Sequence, residues 1–169
     1  IDFNQADISP VASQQNESDT TAPSKPTVDT ISNDTGDNPS DNVTKELTQK
    51  VSGTADANAE IEVFVDGNSK GTTNADGSGN WNLNGVTLSN FNNNITAKAT
   101  DTAGNTSGLS TQLTVTLDAT APSQPIVSSI SNDTGDSSSD NVTKIATQTV
   151  FGTAEANAEV EVFVNGSPH

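Results

Sequence analysis

The stretch EIEVFVDG, which begins at Glu60, decides the fold class of this chain. Ile61, Val63 and Val65 alternate with charged and aromatic neighbours, and a period of two predicts a strand with one buried face. An Asp-Gly pair follows at once, and this dipeptide is typical of a tight β-hairpin turn. The stretch therefore predicts a hairpin in an all-β domain.

Similar short alternations lie on both sides of this hairpin, and no segment shows a helical period over a useful length. Together they predict seven strands, which lie around residues 27–31, 47–53, 60–66, 70–74, 81–88, 95–99 and 113–117. Seven short strands in about 100 residues, with turns at regular spacing, describe an immunoglobulin-like β-sandwich.

The chain repeats itself. SNDTGDNPSDNVT at residues 32–44 recurs as SNDTGDSSSDNVT at residues 131–143, and residues 19–70 agree with residues 118–169 at about two positions in three. We therefore predict tandem sandwich repeats: a linker at 1–18, a first repeat at 19–118, and an incomplete second repeat at 119–169 with only its first three strands. We expect either that the natural protein continues or that another segment completes this half-domain.

The composition restricts the partners. The chain has 22 acidic and six basic residues, for a net charge of −16. This charge argues against nucleic acid as a partner and against insertion into an anionic membrane. The acidity serves solubility or the binding of a hard cation such as calcium, and charge alone leaves both open. With 30% hydrophobic residues the core is small, so something outside it is expected to help hold the fold. The chain has no Cys, which excludes disulfides and thiolate metal sites.

The strand order predicts at which end, or pole, of the sandwich each carboxylate lies. Strands of a sandwich alternate in direction, so the start of the first repeat shares one pole, the N-terminal pole, with the loops after its second, fourth and sixth strands. This pole is predicted to hold Asp19, Asp56, Asp76 and Asp101. The opposite, C-terminal pole is predicted to hold Asp34, Asp37, Asp41 and Asp118, and the next repeat brings Glu155 after its second strand.

A junction between repeats could gather Asp118, the acidic loop of the first repeat and Glu155. Calcium takes six to eight oxygen ligands, and two domains can supply them as carboxylates and carbonyls. The alternative is that Asp34, Asp37 and Asp41 only cap turns through side-chain hydrogen bonds. Asp76, in the sequence DGSGN, is interpreted as a hairpin turn.

Five motifs of this chain, together and in sequence order, resemble those of bacterial Ig-like repeats. Such repeats form the stalks of large surface adhesins of the biofilm-associated and type I-secreted kinds. The motifs are the D-x-TAP linkers, the NDTG…SDNVT loops, GTA(D/E)ANAE with its VFV hairpin, ADGSGNW, and ATDTAGNTS. The resemblance covers residues 19–169. It implies an extracellular, cell-surface location, neighbouring repeats as partners, and calcium at domain junctions, with Asp19, Asp101 and Asp118 as expected ligands.

Three functions follow as hypotheses, and none is enzymatic, because the only His is terminal and no nucleophile motif is present. The first is a calcium-rigidified stalk for cell adhesion or biofilm formation. The second is a module that binds carbohydrate or a host or bacterial surface receptor, with Trp81 as the residue suited to stack on a sugar, although a core position is the favoured interpretation. The third is self-association, in which the incomplete repeat accepts a strand from another chain.

Overall fold

The computed structural model describes residues 18–169 apart from 37, 90, 135 and 138. It divides the chain into two compact units, Ile1–Ala119 and Thr120–His169. Nearly all of the predicted linker at residues 1–18 lies outside the described residues. The described part of the chain contains no helix able to cross a membrane.

The first unit is an all-β sandwich of two sheets, which confirms the predicted immunoglobulin-like architecture. A three-stranded sheet has the order β1-β3-β6, and a five-stranded sheet has the order β2-β8-β7-β4-β5. The strands are β1 Thr30–Ile31, β2 Val43–Thr44, β3 Thr48–Thr54, β4 Glu60–Val65, β5 Asn68–Asn74, β6 Asn80–Thr87, β7 Asn92–Thr100 and β8 Leu113–Leu117.

Alternating side chains from both sheets fill the space between them. On β4, Ile61 and Val63 are fully buried, whereas the intervening Glu62 is not. The same period of two buries alternate residues on the facing strands, because successive side chains of a strand point to opposite faces. The fully or almost fully buried apolar residues include Val51, Val65, Trp81, Val86, Leu88, Ile95, Ala97, Ala99 and Val115.

Trp81 is the largest of these side chains, and it packs where a glycine leaves room. Trp81 pairs with Gly53 across β6 and β3. A Cβ atom added at Gly53 would lie 2.7 Å from Trp81 Cζ2 and would also collide with the carbonyl oxygen of Thr27. Only glycine therefore allows the indole and the neighbouring backbone to approach this closely.

The hairpin predicted at Asp66 and Gly67 is confirmed, and it joins β4 to β5. Asp66 has φ 50° and Gly67 has φ 78°, so both central residues are left-handed, as a type I′ turn requires. In the second unit Asn165 and Gly166 take nearly the same values, 51° and 80°. The two copies thus use the same turn chemistry.

The described residues of the first unit add one short strand to the seven predicted, because β2 forms inside the stretch that was interpreted as a loop. Val43 pairs in parallel with Thr116, and Thr44 with Leu117. The last strand, β8, would otherwise leave a sheet edge open, and the end of the acidic loop covers it. This pairing fixes the loop beside the end of β8.

The second unit shares part of the strand pairing of the first. Its strands in the described residues are β9 Ile126–Ile130, β10 Val150–Thr153, β11 Phe163–Val164 and β12 Ser167–Pro168. Val150 pairs with Ile130, as Val51 pairs with Ile31 exactly 99 residues earlier. The shared register shows that the repeated sequence encodes repeated backbone pairing.

Candidate functional site

Three carboxylates distant in sequence line one cleft at the N-terminal pole of the first unit. Asp19 comes from the segment before β1, Asp56 from the β3–β4 loop and Asp101 from the turn after β7. The cleft has a volume of about 280 Å³ and is completed by Thr21, Ala22, Pro23, Ala57, Asn58, Ala59 and Thr102. The strand order thus brings together three of the four carboxylates predicted for this pole.

Asp101 organises the turn after β7. Its Oδ1 accepts hydrogen bonds from the backbone N–H groups of Ala103 and Asn105, both at 2.9 Å, and its Oδ2 accepts one from Asn105 Nδ2 at 2.9 Å. Asn105 Nδ2 also donates to the carbonyl oxygen of Asp19 at 3.0 Å. Asn105 therefore ties two walls of the cleft together, a role that the sequence analysis did not assign to it.

The other two carboxylates accept backbone hydrogen bonds close to the cleft. Asp56 Oδ2 accepts from Ser24 N at 2.8 Å, across 32 residues of sequence, and Asp19 Oδ1 accepts from Thr21 N at 2.9 Å. A carboxylate has about four lone-pair sites, so one accepted hydrogen bond does not exhaust it. These bonds hold the side chains in place and still leave acceptor capacity for a cation.

Asp76 belongs to the neighbouring turn and does not line the cleft. Its Oδ1 accepts from Ser78 N at 2.8 Å and from Asn80 N at 2.9 Å. These bonds close the DGSGN turn between β5 and β6, which agrees with its interpretation as a hairpin turn. The pole prediction placed Asp76 at the correct end of the sandwich, since Asn58 N donates to its carbonyl oxygen.

Hydrogen bonding lowers the pKa of both turn carboxylates below the ordinary value of 3.8. For Asp101 the main cause is the Asn105 side chain, and for Asp76 it is the backbone N–H of Asn80. In both cases the donors favour the charged form, and they outweigh the opposing effect of desolvation.

These lowered pKa values predict acid sensitivity. A carboxyl with a depressed folded-state pKa adds stability above its unfolded value, and this is lost as pH falls through the folded value. The wild type should have a higher free energy of unfolding than an Asp76→Asn/Asp101→Asn variant. This difference should be constant near neutral pH and shrink once pH falls below 3.8. Urea unfolding at several pH values measures it, and a difference that grows on acidification would contradict the assignment.

The acidic loop lies at the C-terminal pole, beside the end of β8. Asp118 N donates to the carbonyl oxygen of Thr44 at 2.8 Å. A second cleft of about 270 Å³ is lined there by Thr35, Gly36, Val43, Thr44, Lys45 and Asp118. Asp41 Oδ1 accepts from Val43 N at 3.0 Å, which is the turn-capping bond of the alternative interpretation. Asp37 lies outside the described residues.

Asp34 carries an acceptor that the described residues do not satisfy. Its Oδ2 accepts from Asn42 N at 3.0 Å, but its Oδ1 is buried without a hydrogen-bond partner. The counterpart Asp133 repeats both features, with Asn141 N as the donor at 2.9 Å. A buried polar oxygen without a partner is costly, and the same unsatisfied acceptor recurs in both copies.

A buried glutamine on β3, Gln49, holds this loop in place. Gln49 is 1% exposed, whereas Leu47, two residues earlier, is 55% exposed. Gln49 Oε1 accepts from Asn33 N at 3.0 Å, and its Nε2 donates to the carbonyl oxygen of Glu46 at 2.9 Å. Gln148 makes the same pattern of bonds in the second unit. Its recurrence at the repeat spacing is the signal that could have identified it.

Glu155 occupies the position in the second unit that Asp56 occupies in the first. Its Oε2 accepts from Ser123 N at 2.9 Å, just as Asp56 accepts from Ser24 N. In the described part of the chain no three acidic or histidine side chains are close enough to hold a metal ion by themselves. A calcium ion would therefore need main-chain carbonyl or other oxygens as well, and calcium accepts such ligands.

The sequence comparisons agree with this architecture. Residues 11–119 match the bacterial Ig-like domain. The chain belongs to the bacterial Ig-like domain family. None of the curated proteins compared with the chain matches it.

Membership of the bacterial Ig-like family bears on the competing functions. The family is built from a non-catalytic fold. Trp81 is 2% exposed, so it forms part of the core and presents no face on which a sugar could stack. The carbohydrate-binding hypothesis thereby loses the residue on which it rested.

Proposed function

We propose that this bacterial Ig-like chain is a structural segment of an extracellular adhesin, in which calcium at the poles of the repeats holds neighbouring repeats at a fixed angle. The rod so formed would carry a cell-surface protein outward for cell adhesion or biofilm formation. Its partners would be the neighbouring repeats of the same protein and, through other parts of that protein, a host or bacterial receptor.

The observation that carries this proposal is the cleft shared by Asp19, Asp56 and Asp101. Three carboxylates from separate segments surround one space, in a chain with a net charge of −16. Negative charges around one space favour a cation there, and a divalent ion would balance two of them. Carboxylates and loop carbonyls are the hard oxygen ligands that calcium prefers.

The repeat extends the argument to the second unit. Asp118 and Glu155 lie 99 residues after Asp19 and Asp56, so two of the three carboxylate positions recur at the repeat spacing. The acidic loop of the first repeat adds further oxygens of the same chemistry, among them the unsatisfied Asp34 Oδ1. A calcium ion that takes ligands from both repeats would restrict the angle between them.

Calcium should therefore raise the melting temperature of the first unit. A ligand that binds only the folded state stabilises it by RT ln(1 + [L]/Kd), about 2.7 kcal/mol at 100 times Kd, and each kcal/mol raises the melting temperature of a domain this size by about 4–8 °C. The single tryptophan, Trp81, is buried in the first unit and reports its unfolding by fluorescence.

Matched variants assign the effect to the cleft. Asp19→Asn/Asp56→Asn should abolish most of the calcium-induced rise, whereas Asp29→Asn, an exposed carboxylate that does not line the cleft, should leave it intact. Small-angle scattering of the wild type tests the stalk itself, since chelation with EDTA should broaden the distribution of molecular dimensions. An unchanged melt and an unchanged scattering profile on adding EDTA would refute the calcium proposal.

A further inference from the structure

One exposed asparagine of the first unit directly precedes a glycine. Asn84 and Gly85 both lie at the surface on β6. Asparagine is one of the chemically less durable residues in proteins, and glycine has no side chain that would shield its backbone nitrogen from the preceding amide. This Asn-Gly pair therefore carries both groups of an intramolecular reaction, and the strand around it decides whether they can approach each other.

The Asn-Gly pair lies in a bulge of β6. On one side of the pair, Leu83 is aligned with Val51 of β3. On the other side Val86 is aligned with Gln49, so two residues of β6 lie opposite the single residue Lys50. A bulge of this kind leaves a residue unpaired and disrupts the ladder of hydrogen bonds locally. The register that fixes the rest of β6 therefore does not fix the Asn-Gly pair.

The bulge also lies at an open edge of its sheet. Among the described residues β6 pairs only with β3. Lys50 directs its backbone to the other neighbour, since its carbonyl oxygen accepts from Ser32 N at 2.9 Å and its N–H donates to Ser32 Oγ at 3.2 Å. Gly85 has φ 76°, outside the geometry of a regular strand. Exposed backbone with few partners opens at little cost, so the Gly85 nitrogen can turn towards the Asn84 side chain while the sandwich stays folded.

We propose that Asn84 and Gly85 form a self-modification site that reacts in the folded chain. The backbone nitrogen of Gly85 attacks the side-chain amide carbon of Asn84. A new C–N bond forms, the bond to the amide nitrogen breaks, and that nitrogen leaves as ammonia with the proton of the Gly85 N–H. Water then opens the resulting five-membered succinimide ring. Opening at one carbonyl leaves aspartate at position 84, and opening at the other leaves isoaspartate.

The isoaspartyl product lengthens the backbone of β6. Its main chain runs through the former side-chain methylene, so one backbone atom is added just before Val86 and Leu88, which are 0% and 2% exposed. Val86 is also aligned with Gln49, the buried amide that holds the acidic loop. Isoaspartate should therefore disturb the core and the loop, whereas aspartate adds only a charge at the surface. This site is independent of calcium.

The experiment incubates the full chain at several pH values around neutrality, once folded in buffer and once unfolded in urea. Cleavage after lysine gives a peptide of residues 71–98, which contains Asn84 but not the other asparagine followed by glycine, Asn165. We expect this peptide to gain about one dalton at Asn84, faster at higher pH because the attacking nitrogen must lose its proton. The folded chain should react within about tenfold of the unfolded rate. Asn82, exposed on the same strand but paired with Ser52, should stay intact.

Two variants complete the test, both at the exposed position 84. Asn84→Gln should abolish the reaction, because its longer side chain would have to close a less favourable six-membered ring. Asn84→Asp should melt like the fresh wild type, whereas the isoaspartyl fraction of the aged wild type should melt at least about 4 °C lower, as measured by Trp81 fluorescence. A folded chain that reacts more than about tenfold more slowly than the unfolded chain would overturn the site. An isoaspartyl fraction that melts like Asn84→Asp would overturn its effect on the core.

Discussion

Replacement of Trp81 by alanine is expected to lower the free energy of unfolding of the first unit by about 3–5 kcal/mol, the usual cost of truncating a buried aromatic side chain. Trp81 is 2% exposed and lies in a core that otherwise consists of Val, Ile, Leu and Ala. A core with so few large residues has little else to fill the space, so the cavity should persist. Native stabilities are only about 5–15 kcal/mol, and the variant should therefore be close to unfolding at 37 °C.

The measurement is urea unfolding followed by circular dichroism, because the variant has no tryptophan fluorescence. Phe91→Ala is the matched control, since Phe91 is 64% exposed and its loss should change stability by no more than about 0.5 kcal/mol. Equal effects of the two substitutions would show that Trp81 does not contribute to the core as described.

Replacement of Gln49 by leucine is expected to release the acidic loop and to cost about 3 kcal/mol. Leucine fills a similar volume but cannot replace the bonds to Asn33 N and to the Glu46 carbonyl oxygen, and each buried polar group left unsatisfied costs about 1–3 kcal/mol. Amide hydrogen exchange at Asn33 should become much faster in the variant, because its acceptor is lost.

The matched control is Gln112→Leu. Gln112 is exposed, and its bonds to Asn94 and Thr114 are to side chains at the surface. This substitution should leave both the stability and the exchange at Asn33 unchanged. If the Asn33 amide exchanged no faster in Gln49→Leu than in Gln112→Leu, something other than the buried Gln49 amide would hold the loop.

The sequence predicted most of the sandwich, because its strands follow a strict period of two. Ile61 and Val63 fall on the buried face as predicted, and the Asp66–Gly67 turn follows from the conformational preference of that pair. The short β2 was missed because Val43 and Thr44 are only two residues in an otherwise polar stretch. Their pairing depends on β8, which lies far away in the sequence, and no local pattern encodes it.

The sequence predicted at which end of the sandwich each carboxylate lies, but it did not predict which carboxylates share a cleft. Alternating strand directions placed Asp19, Asp56 and Asp101 at one end, and the structure brings them to one cleft. The exclusion of Asp76 from that cleft, and the link that Asn105 makes between two of its walls, depend on side-chain hydrogen bonds that spacing does not reveal. Leu47 and Gln49 give a second example. Both fall on the same face of an alternating strand, but Gln49 is the buried one because its amide forms the hydrogen bonds that the loop requires.

Calcium binding by Asp19, Asp56 and Asp101 is tested most directly by titration calorimetry of the full chain with calcium. The titration should be made at physiological ionic strength with excess magnesium present, because magnesium demands a smaller octahedral site and should not compete effectively. We predict saturable calcium binding that persists in magnesium and is lost in the Asp19→Asn/Asp56→Asn variant. A titration that shows only the heat of dilution, or one that magnesium abolishes completely, would contradict the account.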